Sequence, residues 1–131
     1  MSDKSKELSK YRLEQAKETL GVAKLCYETG HYKDAINRAY YAAFYAVKAV
    51  LAIEGVDFKR HKDVVAHFNQ TYIATEKYEK EIGRFLARLQ KKRESSDYDD
   101  FAIASREEAE AQLLAAESII NVICNSLGDD K

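Results

Sequence analysis

Apolar residues recur at spacings of three and four through most of the chain, which is the period of one face of an α-helix. The first helix is predicted from about Lys4 to Thr29, and it stops before Gly30 because glycine commonly follows the last turn of a helix. The second is predicted from about Tyr32 to Glu54 and stops before Gly55. It is apolar on nearly all sides, so we expect the other helices to cover it. We interpret its tyrosines as core and interface residues: Tyr40, Tyr41 and Tyr45.

Three further helices are predicted in the rest of the chain. One extends from about His61 to Tyr72, and another from about Glu76 to Arg93 or slightly beyond, with Thr75 as its N-cap. Polar and acidic residues follow, and then Ser105-Arg-Glu-Glu108 has the pattern of a capping box that opens the fifth helix. The pattern therefore predicts an all-α fold, an antiparallel up-and-down helical bundle of four long helices plus one shorter helix.

The size and composition fit a single folded domain over residues 1–131, with a core at about 5–127. The chain has no proline and five glycines, which argues against a loop-rich β protein and a collagen-like rod. The longest nearly uncharged stretch, Ala39–Ile53, is too short to span a membrane. Because the first residues are charged and the two cysteines lie in helical patterns, we expect no secretory signal and a cytoplasmic location.

Charge is unevenly distributed behind a net charge of −1. Residues 59–93 carry ten basic and four acidic side chains, whereas 94–131 carry two basic and ten acidic ones. The basic segment can meet phosphate, or it can pair with the acidic end within one fold or across a dimer. Five of its cations recur at helical spacing: Lys77, Lys80, Arg84, Arg88 and Lys91. This row is either an ordinary solvated helix face or a surface that follows a nucleic-acid backbone.

Arg93 differs from this row, because steps of 100° per residue place it about 40° from the centre of the apolar face of the fourth helix. A guanidinium turned toward the packed side of a helix needs acceptors. One possibility is an internal ion pair with Asp97, Asp99 or Asp100. The other is that Arg93 is held at a cleft, where its planar fork binds phosphate.

The histidines do not suggest a metal site. His61 and His67 are six positions apart, so they cannot converge from one face of a helix. No other motif suggests a bound group, and we predict neither a metal nor a cofactor. His61 lies among cations at a predicted helix start, where its pKa should be low and the neutral ring able to accept a proton. A merely exposed surface histidine is the alternative.

Three segments together resemble one known family. They are NRAYYAAFYAVKAVL at residues 37–51, RHKDVVAHF at 60–68 and RESSDYDDF at 93–101. In residue types, order and spacing they resemble the HEPN domain (higher eukaryotes and prokaryotes nucleotide-binding), and most of all its small stand-alone prokaryotic branch. The resemblance covers roughly residues 5–125.

The resemblance implies an up-and-down bundle that is often dimeric. Many members of the family are metal-independent endoribonucleases, with an arginine, four to six residues and then a histidine near the end of the penultimate long helix. Two copies of this motif meet across the dimer. Other members bind nucleotides without known catalysis. Small members are frequently encoded beside a minimal nucleotidyltransferase, as toxin and antitoxin or as two parts of one activity.

By this resemblance Arg93 occupies the position of the motif arginine, but the motif histidine does not follow. Tyr98 stands in its place, and a tyrosine is a poor base at neutral pH although it can donate a hydrogen bond to phosphate. His61 can substitute only if the fold brings it beside Arg93. Arg60 and His67 have the spacing of the motif, but they lie on the preceding helix, so we treat that match as coincidence.

Three hypotheses follow. The first, which we favour, is a nucleotide- or RNA-binding module in which Arg93, Asp97 and Arg60 contact phosphate. It would act as a homodimer and with a nucleotidyltransferase partner. The second is a divergent metal-independent endoribonuclease, with Arg93, Tyr98 and His61 as catalytic residues. The third is a non-catalytic structural homodimer or adaptor, in which Arg93 serves only an internal ion pair.

Overall fold

Five α-helices and no strand form the part of the chain that the computed structural model describes, residues 3–98 and 103–128, with the backbone alone at positions 97 and 98. The helices are α1 (Asp3–Glu28), α2 (Tyr32–Glu54), α3 (His61–Phe68), α4 (Lys80–Tyr98) and α5 (Arg106–Ser126). A π-helical turn, Asn69–Ile73, directly follows α3.

Helix α2 is the centre of the bundle and contacts α1, α3, α4 and α5. Residues on all its sides are buried, which confirms the prediction made from its nearly continuous apolar sequence. Its largest fully buried side chains are Ile36, Tyr40, Val47 and Leu51. Because a helix that is apolar all round must be covered, α2 determines how the other helices are arranged. None of the described helices, α2 included, is long and apolar enough to cross a membrane.

The helices run up and down, as contacts between their ends indicate. The Ser9 hydroxyl near the start of α1 donates a hydrogen bond to the carbonyl oxygen of Ala49 near the end of α2, at 2.7 Å. The hydroxyl oxygens of Tyr78, just before α4, and Ser126, at the end of α5, are 2.6 Å apart. These helix pairs are therefore antiparallel, and the predicted all-α up-and-down bundle is confirmed.

Helix α4 begins at Lys80, four residues later than the sequence predicts. The Thr75 hydroxyl does not cap it, since that hydroxyl donates to the carbonyl oxygen of Thr71, one turn back, at 2.7 Å. Glu76 has a left-handed φ of 60°, a conformation that does not continue a right-handed helix. The chain therefore turns before α4, and Tyr78 enters the core from this turn instead of from a helix.

The ends of α3 and α4 also differ from the sequence prediction. Helix α3 stops at Phe68 and the π-helical turn follows, whereas the sequence predicts one helix to Tyr72. The apolar positions still point inward, with Val65, Phe68 and Tyr72 buried as expected. Helix α4 extends to Tyr98, five residues past Arg93, whereas the sequence predicts an end at Arg93 or slightly beyond. Arg93 therefore lies inside a helix, with helical backbone on both sides, and not at its end.

Helix α5 begins with the predicted capping box, which is confirmed. The backbone N–H of Glu108 donates to the Ser105 hydroxyl at 3.1 Å, and the backbone N–H of Ser105 donates to the Glu108 carboxylate at 3.2 Å.

Because alanine removes the bond to the Ser105 hydroxyl, we expect Ser105→Ala to lower the free energy of unfolding by about 1 kcal/mol in urea titrations. Ser105→Thr keeps an acceptor and should retain most of the stability. Equal stability of the wild-type and Ser105→Ala proteins would contradict this role.

Candidate functional site

Four side chains of α2 form what we call the α2 aromatic cluster: Tyr40, Tyr41, Phe44 and Tyr45. Tyr40 and Phe44 are buried and their rings stack, with centroids 5.9 Å apart. Tyr41 and Tyr45 are half-buried, with ring centroids 6.3 Å apart. The cluster thus has a buried half that belongs to the core and a half at the surface that a ligand can reach.

Arg93 of α4 packs on this cluster. Its guanidinium carbon is 4.8 Å from the centre of the Tyr40 ring and 5.7 Å from that of Tyr41. Both distances are typical of cation–π contacts, which fix the plane of a guanidinium against a ring. Arg93 is half-buried, in keeping with its expected orientation toward the packed side of α4. The alternative ion-pair partners, Asp97 and residues 99–100, fall outside the described side chains.

His61, in the first turn of α3, lies against the same cluster. The connection 55–60 turns back along α2 and places the His61 ring 4.1 Å from the Phe44 ring, centroid to centroid. The Tyr40 hydroxyl oxygen is 3.4 Å from Nδ1 of His61, which is long for a hydrogen bond. His61 and Arg93 therefore meet at one residue, Tyr40. A role for His61 in place of the motif histidine requires a position beside Arg93, and both side chains contact Tyr40.

The surroundings keep His61 and Tyr40 uncharged at physiological pH. The pKa of His61 is lowered from its usual 6.5, first by burial and then by the positive charges of Arg93 and Lys48. The pKa of Tyr40 is raised to about 12, chiefly because burial disfavours the phenolate, although Arg93 acts in the opposite direction. His61 is therefore a neutral imidazole that can accept a proton, and Tyr40 is a protonated hydroxyl.

The lowered pKa of His61 predicts a pH-dependent part of the stability. Below pH 6.5 the unfolded chain binds a proton at His61 more readily than the folded chain does. This contribution is therefore fully present above pH 6.5 and is lost as the pH falls toward the lower pKa of the folded state. We expect the urea midpoint to decrease more in the wild-type protein than in His61→Gln on acidification from about pH 7.5 to about pH 5.5. The same decrease in both proteins would exclude this linkage.

The other predicted residues are placed as follows. Arg60 is exposed, and its Nε donates to the Asp63 carboxylate at 3.0 Å, so its described partner lies within its own helix start and not in the cluster. Asp97 and Tyr98 belong to the end of α4, about one turn beyond Arg93. Their side chains lie outside the described part of the chain.

Arg38 and the exposed part of Tyr41 are not among the residues predicted for the site. The Arg38 guanidinium carbon is 5.0 Å from the centre of the Tyr41 ring. Nε and Nη2 of Arg38 donate to the side-chain oxygen of Asn37, at 3.1 and 2.7 Å. The Lys48 ammonium lies 5.9 Å from the centre of the Phe44 ring. A signal was present in the sequence, since Arg38, Tyr41 and Lys48 share one face of α2 at helical spacing.

These groups form a cationic, aromatic surface that contains a neutral imidazole. Arginine binds phosphate oxygens through paired N–H groups, tyrosine rings stack on bases, and an imidazole donates or accepts a proton. Within the described residues, no group of three or more His, Cys, Asp or Glu side chains could hold a metal ion. The arrangement is suited to the phosphate and the base of a nucleotide.

The predicted row of cations forms a separate surface on α4. Four of its members are exposed on this helix: Lys80, Arg84, Arg88 and Lys91. The Arg88 guanidinium carbon lies 5.6 Å from the ring centre of Phe85, on its own helix. Lys77 precedes α4 and lies over Tyr72, at 5.5 Å. Exposed cations of this kind are typical of a solvated helix face.

Comparison with known proteins gives a consistent result. The model of the HEPN domain family matches residues 9–127. A UPF0332 protein of Thermotoga maritima is 34% identical over 131 residues, which is 100% of this chain and 98% of that protein. A protein of Methanocaldococcus jannaschii named "Putative toxin" is 35% identical over 116 residues, covering 88% of this chain and 85% of that protein.

Two solved structures share the fold. An archaeal HEPN homologue has a TM-score of 0.74 at 19% identity, covering 91% of this chain and 97% of that one. A HEPN domain protein of Thermotoga maritima has a TM-score of 0.68 at 23% identity, covering 90% of this chain and 98% of that one. At this level of identity the likeness concerns the fold alone.

Proposed function

Because the chain belongs to the HEPN family, we propose that it is a toxin-like module that binds the phosphate of a nucleotide or RNA at Arg93. One observation carries the proposal. The Arg93 guanidinium packs on the rings of Tyr40 and Tyr41, at 4.8 and 5.7 Å, on the same aromatic cluster as a neutral His61. A guanidinium whose plane is fixed in this way presents a prearranged fork to phosphate oxygens.

Neighbouring charges also favour an anion at this place. Arg38 is a second guanidinium on the Tyr41 ring, and Lys48 lies near Phe44. The positive charge of Lys48, like that of Arg93, already lowers the pKa of His61. An anionic phosphate reduces the repulsion among these cations, so charge and hydrogen bonding both support its binding.

His61 has a defined part in such binding. When the Tyr40 hydroxyl donates to Nδ1 of His61, the proton of the neutral ring is on Nε2. From Nε2 the ring can donate a hydrogen bond to a phosphate oxygen that Arg93 also binds. With the contact in this direction, His61 is a donor at Nε2.

The family suggests a setting for this activity. One relative is named a toxin, and we propose that this chain likewise acts in a toxin–antitoxin-like or two-component system. Its partner in that system would be a minimal nucleotidyltransferase, as the resemblance implies. We also propose that the chain acts as a homodimer in the cytoplasm.

Binding of RNA tests the proposal. In fluorescence anisotropy, a labelled single-stranded RNA should bind saturably, and the affinity should fall with rising salt because phosphate contacts release counterions. Unlabelled mononucleotide and inorganic phosphate should compete with the RNA. If no binding occurs even at low salt, the phosphate site is rejected and the structural homodimer or adaptor is the remaining hypothesis.

One observation favours a second function, a divergent metal-independent endoribonuclease. His61 meets Arg93 at Tyr40, although the position of the motif histidine is taken by Tyr98. In the other tautomer Nδ1–H of His61 donates to the Tyr40 oxygen, and the lone pair on Nε2 can remove a proton from a ribose 2′-hydroxyl. The 2′-oxygen attacks the adjacent phosphorus, the bond from phosphorus to the 5′-oxygen breaks, and a cyclic phosphate remains. The 5′-oxygen takes a proton from water, and the protonated His61 returns its proton to the solvent. Arg93 stabilises the charge on the phosphoryl oxygens.

A further inference from the structure

A cleft of about 400 Å³ lies beside the α2 aromatic cluster, between α1 and α2. From α2 it is lined by Arg38 and Tyr45, which also adjoin the candidate phosphate site. The remaining lining residues all belong to α1: Tyr11, Glu14, Gln15, Glu18 and Thr19. The proposed phosphate site makes no use of these α1 side chains.

We propose that this cleft is a nucleobase subsite, which selects a base with two adjacent N–H donors, as guanine has. The inference rests on the proposed function, because the base bound here is the one attached to the phosphate at Arg93. It adds a preference among bases, which phosphate contacts alone do not provide.

The two sites are joined through Tyr41. The guanidinium carbons of Arg38 and Arg93 lie 5.0 and 5.7 Å from the centre of this one ring. Arg38 also lines the cleft, and its two hydrogen bonds to Asn37 hold its guanidinium in place. A nucleotide whose phosphate is bound at Arg93 can therefore extend past Tyr41 and place its base in the adjoining cleft.

Tyrosine rings provide stacking surfaces in the cleft. Tyr45 is held by its neighbours Tyr41 and Phe44, with ring centroids 6.3 and 6.4 Å away. Tyr11 is 61% exposed, which is a large apolar surface for a single side chain to leave in water. Stacking on a tyrosine ring is favourable for every base, so Tyr11 and Tyr45 supply affinity but no selectivity.

The carboxylates of α1 supply the selectivity. Glu14 and Glu18 are one helical turn apart and line the same cleft. They repel phosphate but accept hydrogen bonds from base N–H groups, so a nucleotide has one favoured orientation, with its phosphate at the arginines and its base toward the glutamates. Guanine presents N1–H and N2–H side by side to one carboxylate. Uracil presents a single N3–H between two carbonyl oxygens, which a carboxylate repels.

Calorimetric titration of the whole chain with 5′-GMP and 5′-UMP tests the subsite. The wild-type protein should bind GMP about tenfold more tightly than UMP, since a bidentate pair gives discrimination of this order. The double variant Glu14→Gln, Glu18→Gln should lose this preference. The matched control is Glu7→Gln, Glu28→Gln, which removes the same charge from exposed positions of α1 outside the cleft and should keep the preference.

Two single variants complete the test. Tyr11→Ala should weaken the binding of both nucleotides alike, because stacking does not distinguish them.

Arg93→Ala separates the subsite from the phosphate site. Binding that needs Arg93 but is equal for GMP and UMP overturns the subsite and keeps the phosphate site. A preference that needs the two glutamates, together with unchanged affinity for both nucleotides in Arg93→Ala, keeps the subsite and overturns the phosphate site. Absence of binding by either nucleotide overturns both.

Discussion

Arg93→Ala is expected to weaken RNA binding by roughly ten- to a hundredfold, as measured by anisotropy at constant salt. Hydrogen bonds between a charged group and its acceptors contribute about 1.5–3 kcal/mol, and alanine removes them together with the positive charge. Arg93→Lys should have an intermediate effect, because lysine keeps the charge but lacks the planar fork that the rings of Tyr40 and Tyr41 hold in place.

Arg88→Ala is the matched control for this substitution. It removes the same charge from the same helix, at an exposed position where the guanidinium lies over Phe85. We expect nearly unchanged RNA binding, because an exposed charge at a distance is screened by salt. If Arg88→Ala weakens binding as much as Arg93→Ala, the exposed row of α4 carries the RNA and the site is misplaced. If Arg93→Ala instead lowers stability and leaves binding intact, Arg93 has a structural role only.

The spacing of apolar residues along the sequence is sufficient to predict the bounds of α2, but it does not predict where α4 begins. Helix α2 has the predicted bounds because a glycine follows its last turn. Gly55 adopts a left-handed φ of 76°, which ends the helix. At α4 the spacing predicts too early a start, because Tyr78 is buried although it belongs to the turn before the helix. The left-handed backbone of Glu76 is not signalled by its residue type, because glutamate rarely adopts it.

In the candidate site, too, one feature follows from the sequence and another does not. The inward orientation of Arg93 follows from its place on a helix, and helix geometry can be counted along the sequence. The meeting of Arg93 with His61 depends instead on the course of the connection 55–60, where Asp57 pairs with Lys48 across 3.5 Å. Such contacts join residues from different elements, and no local period encodes them. The sequence therefore shows that a role for His61 requires contact near Arg93, but it does not predict that the two side chains meet.

Arg38 was missed for another reason. Arg38, Tyr41 and Lys48 share one face of α2, but this signal is weak, because a helix buried on nearly all sides offers little contrast between its faces. The significance of Arg38 depends on two neighbours, the ring of Tyr41 at 5.0 Å and the side chain of Asn37, which accepts two hydrogen bonds from Arg38. The burial of Tyr40 and Phe44 and the partial exposure of Tyr41 and Tyr45 make the aromatic cluster a candidate binding surface, and this division depends on the packing of the other helices.

His61→Ala is expected to lower the rate of RNA cleavage strongly if the chain is a divergent endoribonuclease. Purified wild-type protein should then cleave single-stranded RNA in EDTA and leave a cyclic phosphate, and loss of the general base should lower the rate by roughly 10²- to 10⁴-fold. Arg93→Ala should also lower it, through lost stabilisation of the phosphoryl charge. His67→Ala is the matched control, because His67 pairs with Glu54 at 3.2 Å and does not belong to the aromatic cluster.

The pH profile of cleavage identifies the base more closely. Burial, together with the charges of Arg93 and Lys48, lowers the pKa of His61, so its proton-accepting form persists below pH 6.5. The wild-type rate should therefore rise with pH and reach half of its plateau value below pH 6.5. Tyr40→Phe removes the oxygen beside Nδ1 of His61, and we expect it to lower the rate more than it lowers the affinity for RNA.

Each outcome decides between the functions. Cleavage by the wild-type protein that is lost in His61→Ala and kept in His67→Ala makes the chain an enzyme with His61 as its base. Absence of cleavage by every protein, with RNA binding intact, rejects the endoribonuclease and keeps the binding module. Equal cleavage by wild type and His61→Ala points to a contaminant or to another site. In that case His61 is not the general base, because its removal does not lower the rate. Its contact with Tyr40 then serves binding or packing.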